Sequence, residues 1–185
     1  QQLIKATIRT IANVGYSDTT VGKIAKEAGL SVGIISHYFG GKQALLEATM
    51  AKVLFELHDA FLSRLADAST PRERLSAIVL TNFDDNQYQP EIVRAWLAFW
   101  AQVAFSPTLH RLQQIYSKRL LSNFKHELRQ LIPADQTSGT AETLASLIDG
   151  FWLRSATGGT PPQLGMIRTL VESSIDYHIN AAKRG

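Results

Sequence analysis

Residues 20–42 read TVGKIAKEAGLSVGIISHYFGGK, and this stretch leaves few choices of fold. Ile24, Ala25 and Ala28 recur at helical spacing and mark one buried face. Gly29 follows where a helix C-terminus needs a left-handed residue. Ser31 is placed to cap a second helix through its hydroxyl. Ile35 and Phe39 lie four apart and pack that helix back on the first. The pattern predicts helix, three-residue turn and helix over about 20–39. Val32, Gly33, Ser36 and His37 are left on the outward side, small or polar, and Lys42 follows just beyond. Such a helix suits the major groove of duplex DNA, with a lysine on a phosphate. An ordinary helical hairpin gives the same pattern.

Charge favours the DNA reading. The chain of 185 residues has a net charge of +3, and the whole surplus lies in residues 1–45. There Lys5, Arg9, Lys23, Lys26 and Lys42 stand against Asp18 and Glu27. Localised positive charge steers a protein to phosphates and makes its affinity salt-dependent.

Residues 15–46 resemble the DNA-binding domain of TetR-family repressors. Thr20, Ile24, Ala25, Ala28, Gly29, Leu30, Ser31, Gly33, Ile35, Tyr38, Phe39, Lys42 and Leu45 match that family's spacing. Ser36 stands where the family usually has a tyrosine that touches a phosphate, and His37 and Tyr38 are the neighbours placed to replace it. The DNA contacts expected are therefore Thr20, Val32, Gly33, Ser36, His37, Tyr38 and Lys42. The chain begins inside a helical pattern (Leu3, Ile4, Ile8, Ile11, Ala12) without methionine. It is expected to be a fragment that lacks the basic arm often preceding this helix in the family.

The remainder reads as a series of helices with no alternating strand pattern, which makes the chain all-α with about nine helices. Helix 1 is expected to end near Gly15 and helix 4 to run from Lys42 to about Ala68. Thr70-Pro71-Arg72-Glu73 is a capping box that opens helix 5. Gln89-Pro90 opens helix 6, and Ser106-Pro107 opens helix 7, which is expected to reach Ile132 before Pro133 stops it. Helix 8 is expected to start near Thr140 and to end at Gly158-Gly159. Pro161-Pro162 leads into helix 9. Two domains follow: 1–45 for DNA, and 46–185 as a bundle for ligand binding and dimerisation.

The bundle carries two aromatic stripes. Trp96, Phe99, Trp100 and Val103 share one face of helix 6. Asp149, Trp152 and Leu153 share one face of helix 8. Phe83, Tyr88, Tyr116 and Phe124 lie on neighbouring helices. A buried carboxylate needs a partner, and a quaternary ammonium ion enclosed by aromatic rings is one solution. Two alternatives stay open: the stripes are plain core, or Asp149 pairs with Arg94, Arg154 or a backbone amide. From the residues, the candidate ligand contacts are Trp96, Trp100, Asp149 and Trp152, with Phe83 and Tyr116 weaker.

The segments GIISHYF, LLEATM, RAWLAFWAQ (94–102), LHRLQQIYSKRLLSN (109–123) and LIDGFWLR (147–154) also resemble the choline-responsive, BetI-like subfamily of TetR repressors. That resemblance implies choline or betaine aldehyde as effector and control of glycine-betaine synthesis or uptake. It implies a homodimer on a palindromic operator, with helices 8 and 9 of two subunits forming the interface. The expected interface residues are Leu144, Leu147, Phe151, Ile167, Leu170, Val171, Ser174, Ile175 and His178.

Other classes find little support. There is no cysteine, so disulfides and thiolate metal sites are excluded. The histidines His37, His58, His110, His126 and His178 form no pair at metal-binding spacing, and neither metal nor cofactor is expected. No phosphate loop, nucleophile elbow or dinucleotide fingerprint is present, so an all-α enzyme is a remote rival. No signal peptide or apolar run of membrane length occurs, and the expected location is the cytoplasm, at the nucleoid. A TetR-type regulator answering another cation, or an apolar molecule, is the nearer rival.

Overall fold

Caps and turns written into the sequence set most helix boundaries in the structure, a computed structural model that describes residues 1–158 and 162–184. Among the described residues there are nine helices: α1 (Gln2–Asp18), α2 (Val21–Ala28), α3 (Val32–Phe39), α4 (Lys42–Ala66), α5 (Pro71–Asn82), α6 (Pro90–Val103), α7 (Pro107–Leu128), α8 (Ala134–Thr157) and α9 (Leu164–Ala182). The chain forms two compact units. The first is Gln1–Glu56 with Gln89–Gln114, and the second is Leu57–Tyr88 with the chain from Ile115 onward.

In the first unit, α2 begins at Thr20, whose hydroxyl accepts the Lys23 amide at 3.2 Å. It ends at Gly29, which takes the left-handed conformation (φ 64°). The Leu30 amide then reaches the Ala25 carbonyl at 2.9 Å, satisfying a carbonyl the helix end leaves free. The Ser31 hydroxyl accepts the Ile34 amide at 3.2 Å and opens α3. Ala6, Ile24, Ala25, Ala28, Ile35 and Leu45 form one apolar core, edged by Leu3, Val21 and Phe39. Near its end α1 kinks at Gly15, where φ is 77°, a turn that glycine makes without a Cβ clash.

The first unit is larger than the expected head. Helix α6 belongs to it and packs along α1, burying Val93, Ala95, Trp96 and Phe99. The expected division at 45/46 followed the motif alone. A helix that continues unbroken through that point leaves no composition change to mark a boundary.

In the second unit, α5 carries the expected capping box: Thr70 and Glu73 bond reciprocally, with Pro71 in the first turn. It lies antiparallel to α9. Arg72 meets Glu172 and Asp176, each at 2.7 Å, and Arg168 Nε donates to the Phe83 carbonyl at 2.8 Å at the far end. It is also antiparallel to α7, through Arg74–Glu127 at 2.8 Å and Tyr116–Asn82 at 2.9 Å. Leu75, Val79, Phe124, Leu128, Leu144, Ile148, Val171 and Ile175 fill the interior.

Two boundaries differ from expectation. Helix α7 ends at Leu128, and Pro133 is the N-cap of α8 rather than only a stop signal. Helix α8 therefore starts at Ala134, before Thr140. Thr137 and Thr140 face the core, and the Thr137 hydroxyl donates to the Pro133 carbonyl, so polar residues there did not mark a loop. Gly159 and Pro161, expected at the α8–α9 junction, lie outside the described residues.

Gly29→Ala places a Cβ on a left-handed residue and should lower stability by about 1 kcal/mol. Gly22→Ala, within α2 and meeting only the Thr20 hydroxyl at an ordinary 3.9 Å, should be neutral or stabilising by up to about 1 kcal/mol. Urea unfolding of the two variants checks the contrast; equal effects would contradict the turn geometry.

Candidate nucleic-acid interface and cation-binding residues

Burying Ile35 against the first helix turns the rest of α3 outward. Val32, Gly33, Ser36, His37 and Tyr38 are all exposed, and Tyr38, 77% accessible, stands edge-on to His37 with ring centroids 5.5 Å apart. Ile34, which the sequence pattern did not single out, is also exposed on this helix. Thr20 is exposed as well, but its hydroxyl is engaged in capping α2.

Lys42 departs from expectation. Its ammonium donates to the Tyr16 carbonyl at 2.8 Å and to the Ser17 carbonyl at 3.0 Å, 5.0 Å from the Tyr16 ring centre. It joins the end of α1 to the start of α4. The sequence reading gave this lysine to a phosphate; in the folded chain its resident partners are the carbonyls that α1 leaves free at its C-terminus.

A run of hydrogen bonds extends this junction. The Tyr16 hydroxyl donates to Gln43 (2.7 Å), Gln43 donates to Glu47 (2.9 Å), and Ser106 donates to the same Glu47 oxygen (2.9 Å). Burial pushes the Glu47 carboxyl up, but bonds from Gln43, Ser106 and Thr108 outweigh it and hold the group below its ordinary value. Ser106 also accepts the Leu109 amide, so the residue that opens α7 is tied to α4.

The candidate cation contacts separate by unit. In the first unit Trp96 and Trp100 are neighbours, with ring centroids 6.1 Å apart, and the Trp100 indole donates to Gln113 at 3.2 Å. In the second unit Phe83, Tyr88, Phe151 and Trp152 interlock edge to face. Centroid separations are 5.0 Å for Tyr88–Trp152, 5.5 Å for Phe83–Tyr88 and 6.2 Å for Phe83–Phe151. The Tyr88 hydroxyl donates to the Phe151 carbonyl at 3.1 Å and also bonds Ser155, which fixes its ring.

Asp149 has no such support. Its Oδ1 is buried without a hydrogen-bond partner, and no ion pair reaches the carboxylate among the described residues. The alternative pairing with Arg154 or a backbone amide is not made within the second unit. Burial pushes the carboxyl up to about 6. The half-buried Tyr116 phenol is pushed well above its ordinary value, by desolvation first and by the Asp149 charge second. Its hydroxyl donates to Asn82.

Four of the expected interface residues need correction. Leu144, Ile167, Val171 and Ile175 are completely buried within the second unit and do not face outward. Leu147, Phe151, Ser174 and His178 are half-buried, and Leu170 is exposed. The outward apolar residues of α8 and α9 are Leu153, Met166, Leu170 and Tyr177. Both sides of α9 carry apolar residues, so periodicity could not tell inner from outer. Among the described residues no helix is long and apolar enough to cross a membrane, and no group of acidic or histidine side chains is arranged to hold a metal.

A capped helix-turn-helix followed by an all-helical body defines a class of DNA-binding regulators, and the comparisons agree. Residues 3–49 match the family of bacterial regulatory proteins described as the tetR family, and residues 71–180 match the C-terminal domain of BetI-type transcriptional repressors. The chain belongs to the TetR family, with a BetI-type C-terminal domain, and is a transcriptional regulator rather than an enzyme. The HTH-type transcriptional regulator BetI of Escherichia coli (strain SE11) is 45% identical over 181 residues, 97% of this chain and 93% of that protein. The BetI regulator of Klebsiella pneumoniae (strain 342) is 46% identical over 182 residues, with the same coverage. Among solved structures, a regulator from Pseudomonas aeruginosa PAO1 superposes with a TM-score of 0.82 at 28% identity, covering 99% of this chain and 91% of that one. A regulator from Saccharomonospora viridis, solved in complex with choline, superposes with a TM-score of 0.81 at 20% identity, covering 95% and 94%.

Tyr38 reaches far from the core, so Tyr38→Ala should leave stability within about 0.5 kcal/mol of the parent. Operator affinity should fall about tenfold or more. Fluorescence anisotropy with a duplex and a parallel thermal melt check this. Unchanged affinity would remove Tyr38 from the interface.

Proposed function

We propose that this regulator represses genes for glycine-betaine synthesis or uptake, and that a small quaternary ammonium compound, choline or betaine aldehyde, releases it from its operator. The observation that carries this reading is the half-buried Asp149 carboxylate near Tyr116, whose buried Oδ1 has no hydrogen-bond partner, on the helix that also carries Trp152. A trimethylammonium head brings a charge without hydrogen-bond donors, which a carboxylate and aromatic faces accept together. Likeness to the BetI regulators supports the same effector class, as does the choline bound in the Saccharomonospora relative.

The proposed working form is a homodimer on a palindromic site, because one helix-turn-helix reads few base pairs. Leu153, Met166, Leu170 and Tyr177 supply exposed apolar surface for the second copy. Its place of action is then the nucleoid, in the cytoplasm. The effector favours a conformation in which the two recognition helices no longer match the operator spacing, with a tilt of α4 as the route. Near-complete switching requires about 5.5 kcal/mol of differential affinity between the two shapes.

Thermal-shift titration separates the readings. Choline and betaine aldehyde should raise the melting temperature with concentration, and the neutral isostere 3,3-dimethylbutanol should not. Equal shifts would favour a general apolar pocket. Asp149→Asn should weaken the choline shift and the choline-induced release while leaving ligand-free operator binding intact.

The pH dependence has a definite sign. Burial holds the Asp149 carboxyl at about 6 in the fold against an ordinary value of 3.8, so folding favours the protonated form. In the free protein its contribution to stability is present below the unfolded value and is lost as pH rises through about 6. A bound cation needs the ionised form. Choline affinity should therefore weaken about tenfold between about pH 7.5 and about pH 5, and this dependence should vanish in Asp149→Asn. A flat profile in the parent would reject Asp149 as counter-ion.

For the dimer, Leu170→Lys should shift sedimentation from dimer to monomer and weaken operator binding without lowering the melting temperature of the fold. A variant that stays dimeric would exclude this face.

A further inference from the structure

The second unit contains a cavity of about 230 Å³ between α4, α5 and α7, with none of the candidate cation contacts in its lining. Phe61, Leu65 and Ile78 form its apolar wall. Arg74, Ser122, Asn123, His126 and Glu127 form the polar wall.

Glu127 is buried and its oxygens are engaged. Oε1 accepts Arg74 Nε at 2.8 Å, and Oε2 accepts Gln130 Nε2 at 3.3 Å. His126 Nε2 stands 3.9 Å from Oε1. A cation entering the cleft would find this carboxylate taken and would meet Arg74 beside it.

Arg74 is in the opposite condition. Its guanidinium is half-buried and hydrogen-bonds only through Nε, so Nη1 and Nη2 make no hydrogen bond among the described residues. A guanidinium carries five N–H donors in a rigid fork, and the edge left over matches the two oxygens of a carboxylate. The Asn123 amide and Ser122 hydroxyl, also without side-chain partners among the described residues, line the same cleft from α7. Unused donors and apolar surface thus meet in one cavity.

We propose that this cleft binds a small organic monocarboxylate with a short alkyl body. The acid group would seat on the free edge of Arg74 with help from Asn123, and the alkyl part would lie against Phe61, Leu65 and Ile78. The volume falls below the range that holds drug-sized ligands, which restricts the guest to a small metabolite. The inference does not depend on the cation reading, since it uses neither Asp149 nor the aromatic cluster.

The test uses the full chain with sodium pivalate as probe and pivalamide as its neutral isostere, at matched ionic strength. Calorimetry should show saturable binding of pivalate with one site per chain, and pivalamide should give none. Arg74→Gln should abolish the signal. Because that variant strands a buried Glu127, Asn123→Leu is the second test: it occupies the cleft and leaves the ion pair in place. It should weaken pivalate binding by about tenfold or more while the choline-induced thermal shift stays as in the parent. Three results would each overturn the proposal: no pivalate binding across the millimolar range, equal binding of pivalate and pivalamide, or full pivalate affinity in Asn123→Leu.

Discussion

A carboxylate enclosed among helices with no hydrogen bond to hold it is the costly feature of the second unit, and Asp149 is that group. Moving its pKa from 3.8 to about 6 corresponds to about 3 kcal/mol against the charged form. Apolar packing around it does not relieve this cost. Tyr116 spends its hydroxyl on Asn82, and Tyr88 spends its own on Phe151 and Ser155. Both phenols are thus fixed in place with their donors turned to other acceptors. On the proposed reading, a cation would offset the Asp149 charge that these hydroxyls leave uncompensated.

The DNA-binding head depends on a different economy. Carbonyls at the end of α1 are satisfied by Lys42, and the first turns of α4 are laced to Tyr16 and Ser106 through Gln43 and Glu47. These contacts, with the packing of α1 along α6, make the turn before α7 part of the same unit as the helix-turn-helix. Whatever displaces that turn acts on the base of α4 directly, through bonds rather than through loose loops. The surplus charge of the head is correspondingly local: Arg9 is paired with Glu27 at 2.7 Å, while Lys26 is exposed with its charge unpaired among the described residues.

Much of this was legible in the sequence because the signals are chemical and short-range. Thr20, Gly29, Ser31 and the Thr70–Glu73 box each satisfy specific backbone groups, and each occupies the position expected of it. The outward side of α3 followed once Ile35 was taken as core. The failures came where one residue type serves two environments. Pro133 stops one helix and caps the next. Thr137 and Thr140 look like loop residues yet are buried on the inner side of α8. Apolar residues on both sides of α9 hid which were interior, and the carbonyl partners of Lys42 lie 25 and 26 residues earlier in the chain, beyond the reach of a local pattern. The partners of Asp149 were beyond sequence reasoning altogether, since a missing contact leaves no pattern.

Helix α5 connects the two candidate ligand sites of the second unit. One side carries Arg74, Ile78 and Asn82 at successive turns. Arg74 and Ile78 line the cleft, and Asn82 holds Tyr116, the phenol that feels the charge of Asp149. The Asn82 amide donates back to the Ile78 carbonyl at 2.8 Å, so its orientation is set by the turn that borders the cleft. Arg74–Glu127 and Asn82–Tyr116 are polar ties across an antiparallel α5–α7 seam. A slide of α7 along α5 strains both together, because each has one partner on either helix. A ligand at one site changes the other only through a difference in its affinity for two arrangements of that seam. Two polar ties of fixed length make such arrangements discrete: the charged pair near one end cannot part without leaving Glu127 buried and uncompensated.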